Sequence, residues 1–208
     1  FKKYKKITSK FKELNTYDVF FTNFDNLKKN NKNFILLTTS GTTQSSKFVR
    51  ISKNNLIHNT KKIIEFLRIN KKHTTITTMP MGYSYGLSIL NTHLYVGGKI
   101  VLNKKSILEK NFWINFKRYK ISSFGGVPFF YNLLKKINLS NINLNHLIYM
   151  TQAGGKLDNE CLEYFGNYCK KNKKKFFVMY GQTEASPRMT ILNWRNFFDK
   201  IGSVGKPF

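Results

Sequence analysis

Acidic residues, cysteine, histidine and long apolar runs are all scarce in this chain of 208 residues. Asp and Glu together number 10 against 36 Lys and Arg, so the formal net charge is +26. No apolar run approaches the ~20 residues that a membrane-spanning helix needs. Hydrophobic residues still make up 41% of the chain, which is enough to bury a sizeable core. The composition therefore predicts a folded domain and no membrane span.

The two cysteines, Cys161 and Cys169, fall eight positions apart in one expected helix. That spacing is ~12 Å along a helix axis, too far for a disulfide. The four histidines are scattered, so the sequence does not predict a zinc site. Reduced thiols are typical of the cytoplasm, and we expect a cytoplasmic protein.

A net charge of +26 often indicates a nucleic-acid or other polyanion partner. Here, however, the lysines are spread along the whole chain among asparagines, as in "NLKKNNKNF" (26–34) and "CKKNKKKFF" (169–177). This distribution is typical of a compositional bias over solvated faces, whereas a binding face would be a local cluster. A basic polyanion-binding module therefore stays an alternative, and a nucleic-acid partner is not expected.

Hydrophobic periodicity predicts that strands and helices alternate along the chain. The expected strands are 34–39, 47–52, 74–80, 99–102, 121–127, 146–155 and 175–181. The expected helices are 54–69 (capped by Ser52 or Asn54), 83–96, 106–119 (capped by Ser106), 128–137 and 157–172. This order predicts an α/β fold: a mostly parallel sheet with helices on both faces.

Three loops rich in small or polar residues follow expected strands: "SGTTQSSK" (40–47), "QAGGK" (152–156) and "YGQTEAS" (180–186). In open sheets of this class, ligands bind beyond the carboxyl ends of the strands. We therefore expect the three loops to meet around one ligand.

The first loop has the chemistry of a phosphate cradle, with Gly41 for close approach, several hydroxyl donors and the cation of Lys47. Its Gly41-to-Lys47 spacing equals that of the Walker loop. Ser46 and Phe48, however, replace that motif's second glycine and its magnesium-binding hydroxyl. On its own, the loop is equally well explained as a polar connector.

Six segments, in order, resemble the motifs of the adenylate-forming (AMP-binding) superfamily of acyl-CoA synthetases, peptide-synthetase adenylation domains and luciferases. They are "TSGTTQSSKFV" (39–49), "MPMGYSYGLS" (79–88), "GGVPFFYNLL" (125–134), "TQAGGKL" (151–157), "MYGQTEAS" (179–186) and "KIGSVGKPF" (200–208). The resemblance implies that residues 1–208 are a fragment, cut at both ends, of the large N-terminal AMP-binding domain. It also implies that the C-terminal domain with the catalytic lysine is absent from these residues.

The resemblance implies ATP-dependent activation of a carboxylic acid to an acyl-adenylate, with release of pyrophosphate. Transfer to the thiol of coenzyme A or of a carrier protein would follow, and ATP and Mg²⁺ are the implied cofactors. Because the family's ribose-binding aspartate and catalytic lysine come later in its sequences, we expect this fragment alone to be inactive. A catalytically inactive remnant of the same fold is the main alternative.

Residue roles also follow from the resemblance. The implied holders of the β- and γ-phosphates are Thr39, Ser40, Gly41, Thr42, Thr43 and Lys47. Thr183 would bond the α-phosphate, and the carboxylate of Glu184 would ligate magnesium, which prefers oxygen ligands. The implied adenine-binding residues are Gly154, Gly155, Tyr180 and Gly181.

Each of these residues also has an ordinary structural explanation. A tyrosine at the end of an apolar strand, such as Tyr180, is usually a core residue. Glu184 alone would be a surface carboxylate, and Thr183 alone a turn cap. Gln44 stands where the family has a glycine, so the phosphate loop would be strained if that position needs a positive φ.

Tyr83, Tyr85 and Gly126 are the residues expected at the acyl site, although the two tyrosines are equally well explained as a buried aromatic stripe. Family members that activate amino acids carry an aspartate for the substrate's ammonium group. Gly86 occupies that place here. Because an uncompensated buried ammonium is costly, we expect a neutral or hydrophobic carboxylic acid.

Overall fold

A computed structural model of the chain describes residues 4–7, 19–22, 35–39, 48–139 and 142–208. The chain divides into two compact units, Phe1–Asn31 and Lys32–Phe208. In the first unit, strands β1 (Tyr4–Ile7) and β2 (Val19–Thr22) pair antiparallel. All predicted site residues belong to the second unit.

The second unit contains nine described strands and five described α-helices. The strands are β3 (Ile35–Thr38), β4 (Phe48–Ile51), β5 (Thr74–Ile76), β6 (Lys99–Val101), β7 (Ser123–Gly126), β8 (Tyr149–Gln152), β9 (Lys175–Tyr180), β10 (Thr190–Leu192) and β11 (Lys206–Pro207). The helices are α1 (Lys53–Leu67), α2 (Ser84–Tyr95), α3 (Lys110–Arg118), α4 (Pro128–Lys136) and α5 (Asn159–Lys171).

Seven strands form one sheet in the order β11-β10-β9-β8-β7-β5-β6. Five neighbouring strands, β6, β5, β7, β8 and β9, pair in parallel. β10 and β11 extend the sheet antiparallel at the β9 edge. The predicted α/β class with a mostly parallel sheet is therefore confirmed.

One part of the strand prediction was wrong. β3 and β4 do not enter the large sheet but pair with each other as a separate antiparallel hairpin. Residues 39–47, which connect them, are fewer than the roughly dozen that a parallel crossover needs. The hydroxyl loop therefore connects the two strands of this hairpin and does not follow a strand of the large sheet.

Helix starts follow local capping chemistry. The hydroxyl of Ser52 accepts the backbone N–H of Asn55 at 3.1 Å, so Ser52 is the cap of α1. The expectation that Ser106 caps the helix over 106–119 was wrong, because that helix, α3, begins only after Glu109. The Ser106 hydroxyl instead accepts the N–H of Leu108, while the Glu109 carboxylate accepts that of Ser106. These bonds form a separate turn ahead of the helix.

Alternating side chains of the strands enter two cores, one on each face of the sheet. In β9, Phe176 and Val178 pack with α3, α4 and α5, whereas Phe177 and Met179 pack with α1 and α2. Helices therefore cover both faces, as predicted. The carboxyl ends of β8 and β9, flanked by the start of α2, form the edge at which the candidate site lies.

Cys161 and Cys169 both lie buried on α5 as free thiols, which agrees with the expected absence of a disulfide. Burial raises the pKa of Cys161 to about 11 and that of Cys169 to about 12. Both thiols are therefore protonated at neutral pH and serve as small apolar core residues.

Candidate active site

A cleft of about 820 Å³ lies at the carboxyl ends of β8 and β9 and the amino end of α2. Nine of the residues predicted from the sequence line it: Thr39, Tyr83, Tyr85, Gly154, Gly155, Tyr180, Gly181, Thr183 and Glu184. The "QAGGK" and "YGQTEAS" loops thus meet in one place.

The remaining predicted residues are not part of this described wall. Gly126 ends β7 and is not among the residues that line the cleft; a Cβ there would meet the ring of Phe130. The predicted phosphate-binding residues Ser40, Gly41, Thr42, Thr43 and Lys47, together with Gln44, lie outside the described residues. Thr39, directly before that loop, does line the cleft.

A buried pair of hydroxyls connects two walls of the cleft. Thr183 begins a short 3₁₀ turn, Thr183–Ala185, separated by two residues from the end of β9, and Ser84 is the first residue of α2. Their oxygens lie 3.0 Å apart in a hydrogen bond. Sequence reasoning missed Ser84, although it stands between the two tyrosines that it did select.

Two glycines are required by close packing around the cleft. Gly154 has a φ of +80°, and a Cβ there would lie 2.6 Å from the Tyr83 hydroxyl. At Gly181 a Cβ would overlap the backbone carbonyl of Pro187, because the chain folds back after β9. The structure thus explains both glycines by protein packing, and contact with an adenine ring stays a prediction.

Tyr180 and Glu184 project from the same wall and remain accessible. Tyr180 is 47% exposed, so it does not have the core position that a tyrosine at a strand end usually occupies. Glu184 is also exposed and is the acidic residue among the described lining residues. No group of three or more His, Cys, Asp or Glu that could hold a metal occurs in the described part of the chain.

A single carboxylate, that of Glu184, suits magnesium better than it suits a metal that needs three or four protein ligands. Mg²⁺ usually keeps several waters and is bound by one or two carboxylates together with substrate phosphates. A single accessible carboxylate beside a wide cleft meets that requirement. Glu184 is therefore a chemically suitable magnesium ligand, although its role stays a prediction.

Tyr85 joins the cleft to the core. Its hydroxyl donates to the backbone carbonyl of Thr151 at 2.9 Å, and the hydroxyl of Tyr131 donates to the same carbonyl at 2.8 Å. Burial raises the pKa of Tyr85 to about 12, so the phenol stays neutral. Tyr85 thus belongs both to the cleft wall and to a fixed buried network, and its role at an acyl site stays a prediction.

Gln152 and Arg188 are two further buried residues that sequence reasoning did not select. Gln152 lines the cleft and donates from Nε2 to the carbonyl of Gly155 at 2.8 Å, which fixes the glycine turn. Arg188 is 3% exposed beside Tyr85. A single arginine before an apolar strand carries no local pattern that would distinguish it from the many surface cations of this chain.

The sequence profile of the family described as AMP-binding enzyme matches residues 3–208. The chain belongs to this family. The motif resemblance and the observed fold agree with that membership, and residues of five of the six motifs line the cleft.

Two curated relatives are ligases that are named for a thiol carrier. The chain is 26% identical over 175 residues to an oxalate–CoA ligase of Saccharomyces cerevisiae, covering 83% of this chain and 31% of the relative. It is also 26% identical over 189 residues to a D-alanine–D-alanyl carrier protein ligase of Bacillus cytotoxicus, covering 86% and 37%. The chain therefore spans about a third of the length of these relatives.

Solved structures share the fold. The o-succinylbenzoate CoA synthetase of Bacillus subtilis, bound to its acyl-adenylate intermediate, superposes with a TM-score of 0.73 at 23% identity. The match covers 83% of this chain and 34% of that one, so the chain corresponds to part of a larger architecture. None of the helices in the described ranges is long and apolar enough to cross a bilayer.

Proposed function

We propose that the protein activates a carboxylic acid with ATP, forming an acyl-adenylate and releasing pyrophosphate, and then transfers the acyl group to a thiol with release of AMP and the thiol proton. The observation that carries this proposal is the meeting of Thr39, the Gly154–Gly155 turn and the Thr183–Glu184 turn around one cleft. These segments belong to three motifs that are far apart in sequence, and a single ligand bound in the cleft would contact all three.

The chemistry requires two anions to approach each other. A carboxylate oxygen attacks the α-phosphorus of ATP and a new O–P bond forms. The bond from that phosphorus to the oxygen that bridges the α- and β-phosphates breaks, and pyrophosphate leaves. No proton is transferred in this step, so charge neutralisation and alignment account for most of the barrier that an enzyme can lower.

The chain supplies several groups suited to that task. The Thr183 hydroxyl is proposed to accept from Ser84 and to donate to an α-phosphate oxygen. The amino end of α2, which begins at Ser84, carries unpaired N–H groups and a partial positive charge that favours an anion. Tyr180 offers an exposed aromatic face for a base, and the loop segment 40–47 would complete the phosphate site.

Magnesium would offset the charge of the phosphates when it is bound, and Glu184 is the residue proposed to hold it. Support comes from the chemistry of the carboxylate and from a structure of the same Bacillus subtilis synthetase, which was solved with ATP and a magnesium ion. The acceptor thiol is proposed to be coenzyme A or a carrier protein, since the curated relatives are named for one or the other. We also infer a cytoplasmic location, which the two free buried thiols support.

ATP–pyrophosphate exchange, measured on the complete gene product with a panel of carboxylic acids, tests the proposal. We expect acid-dependent exchange that falls at least about a hundredfold in Glu184→Ala, because one electrostatic contact to a developing charge contributes on that order. The matched control is Glu163→Ala, which removes an exposed carboxylate on α5 outside the cleft. Its exchange should equal that of the unchanged protein.

Two results would contradict the proposal. Absence of exchange with every acid, in a protein whose circular dichroism shows an intact fold, would favour a catalytically inactive remnant. Equal exchange in Glu184→Ala and in the unchanged protein would show that Glu184 is not a magnesium ligand needed for the reaction. Binding of Mg·ATP, measured by calorimetry, separates a protein that binds nucleotide without turnover from one that does not bind it.

A further inference from the structure

Arg188 is a buried cation immediately behind the candidate acyl end of the cleft. Its side chain is 3% exposed, and burial lowers the pKa of the guanidinium. Arginine nevertheless remains protonated in proteins, so a full positive charge lies inside the α1–α2 side of the sheet. Burying such a charge is costly unless an anion or a set of acceptors compensates it.

The described surroundings compensate this charge only in part. Nε donates to the Ser88 hydroxyl at 3.0 Å, and Nη1 contacts the Met179 sulfur at 3.8 Å. The guanidinium carbon lies 4.9 Å from the centre of the Tyr85 ring, a favourable cation–π distance. No carboxylate forms an ion pair with Arg188 among the described residues. Nε and Nη1 thus have partners among the described residues, and of these two partners only the Ser88 oxygen is a strong acceptor.

The neighbours of Arg188 connect it to the cleft. Tyr85 and Met179, which it contacts, both line the cleft, and so does Pro187, the residue before it. The part of the wall formed by these three residues thus lies in front of a buried positive charge. An anion lying against that wall would be attracted more strongly than at the protein surface, and an ammonium group would be repelled.

We propose that Arg188 is a specificity-determining residue and that the acid activated in this cleft carries a second carboxylate, which lies towards Tyr85 and Met179. This inference rests on the proposed function, since it assigns the substrate class of the same site. It replaces the neutral acid expected from the sequence, where the missing aspartate indicated only that no ammonium group is bound.

The test measures binding of chain-matched acids to the complete gene product by isothermal titration calorimetry. Succinate, glutarate and adipate are compared with butyrate, pentanoate and hexanoate, and with the amino acids of the same lengths that end in an ammonium group. We expect at least one dicarboxylate to bind about tenfold or more tightly than its neutral partner, a ratio set by one poorly screened charge pair. The ammonium-bearing acids should bind more weakly than the neutral ones.

Three variants assign this preference to the residue. Arg188→Met removes the charge at similar length and should abolish the difference between dicarboxylate and monocarboxylate. Arg188→Lys keeps a cation and should retain part of it. Arg195→Met, which removes an exposed arginine beside Trp194 and outside the cleft, is the matched control and should change nothing.

Several outcomes would overturn the inference. Equal affinity for the two acid series, no detectable binding of any dicarboxylate, or a preference that survives in Arg188→Met would each do so. If Arg188→Met fails to fold, the acid preference of the unchanged protein and of Arg188→Lys still decides. Exchange activity with monocarboxylates but no dicarboxylate preference would overturn this inference and leave the proposed function standing. Dicarboxylate binding without any exchange would overturn the proposed function and leave the assignment of the carboxylate-binding wall standing.

Discussion

The hydroxyl oxygens of Ser84 and Thr183 lie 3.0 Å apart across the cleft wall, joining the first turn of α2 to the turn that follows β9. The two residues are 99 positions apart in sequence. Because each hydroxyl is buried, each depends on the other for a hydrogen-bond partner. The bond therefore fixes the distance between the wall that carries the two tyrosines and the turn that carries Glu184.

A double-mutant cycle on this pair should show coupling. We expect Ser84→Ala and Thr183→Val each to lower the free energy of unfolding by about 1 kcal/mol, since each leaves a buried hydroxyl without its partner. The double variant should cost less than the sum of the two. Urea unfolding measures all three. As a control, the effects of Ser84→Ala and Cys169→Ala, which lie on opposite faces of the sheet, should be additive. Additive effects of Ser84→Ala and Thr183→Val, or coupling in the control cycle, would contradict the role given to the Ser84–Thr183 bond.

The glycine after Tyr180 should tolerate no side chain. In Gly181→Ala the new Cβ would overlap the Pro187 carbonyl, so the loop must shift and we expect a loss of about 2 kcal/mol or more. Gly82→Ala is the matched control, because no atom lies within 4 Å of the position that a Cβ would take there, and its loss should be near zero. Thermal unfolding compares the two. A Gly181→Ala protein as stable as Gly82→Ala would show that the loop after β9 is not packed as described.

Acid should destabilise the fold through His93. This residue is 1% exposed on α2, and desolvation by burial lowers its pKa from 6.5 to about 4. Between these two values the unfolded chain binds a proton that the folded chain does not, so stability falls as the pH falls through that window. The slope is about 1.4 kcal/mol per pH unit for one such group.

Urea unfolding at a series of pH values from about 7 to about 4 checks this expectation. His93→Gln should show a shallower loss of stability with acid than the unchanged protein. Some slope should remain, because burial also lowers the pKa of His73. His58→Gln, which replaces an exposed histidine on α1, serves as the control for the loss of a histidine. An identical slope in His93→Gln would exclude His93 as its source.

The two tyrosines that share the Thr151 carbonyl should compensate for each other. Tyr131→Phe removes one donor but leaves the hydroxyl of Tyr85 in place, and the reverse holds for Tyr85→Phe. We expect each single variant to lose about 1 kcal/mol of stability and the double variant to lose more than the sum, because only then does the buried carbonyl lose both donors. Chemical unfolding of the three proteins measures this; strict additivity would indicate that another donor takes over.

Local pattern was sufficient for most of the architecture. The runs around β8 and β9 and the helical spacing of α1 and α5 predict their elements, because alternation of period 2 or 3.6 reflects which face each element buries. The cap at Ser52 followed from hydroxyl chemistry within three residues. The predictions failed where one local pattern allowed two outcomes. The hydroxyl of Ser106 bonds Leu108 in a separate turn instead of capping α3, and β3 pairs with β4, the next strand, instead of entering the large sheet.

Some residues of the candidate site could likewise be predicted from local sequence, and others could not. Its motif residues could be selected from the sequence because the "QAGGK" and "YGQTEAS" segments are short, contiguous and distinctive. Ser84, Gln152 and Arg188 could not, since nothing in their immediate surroundings separates them from many similar residues.

By itself, the sequence determined the alternation of strands and helices, the family and the two turns of the cleft that the structure describes, because these depend on residues close together in the chain. Tertiary structure alone decided that Ser84 meets Thr183, that β3 and β4 stand apart from the large sheet, and that Arg188 is buried beside Tyr85. The partners of such contacts are up to about a hundred residues apart, and packing, which local pattern does not encode, brings them together.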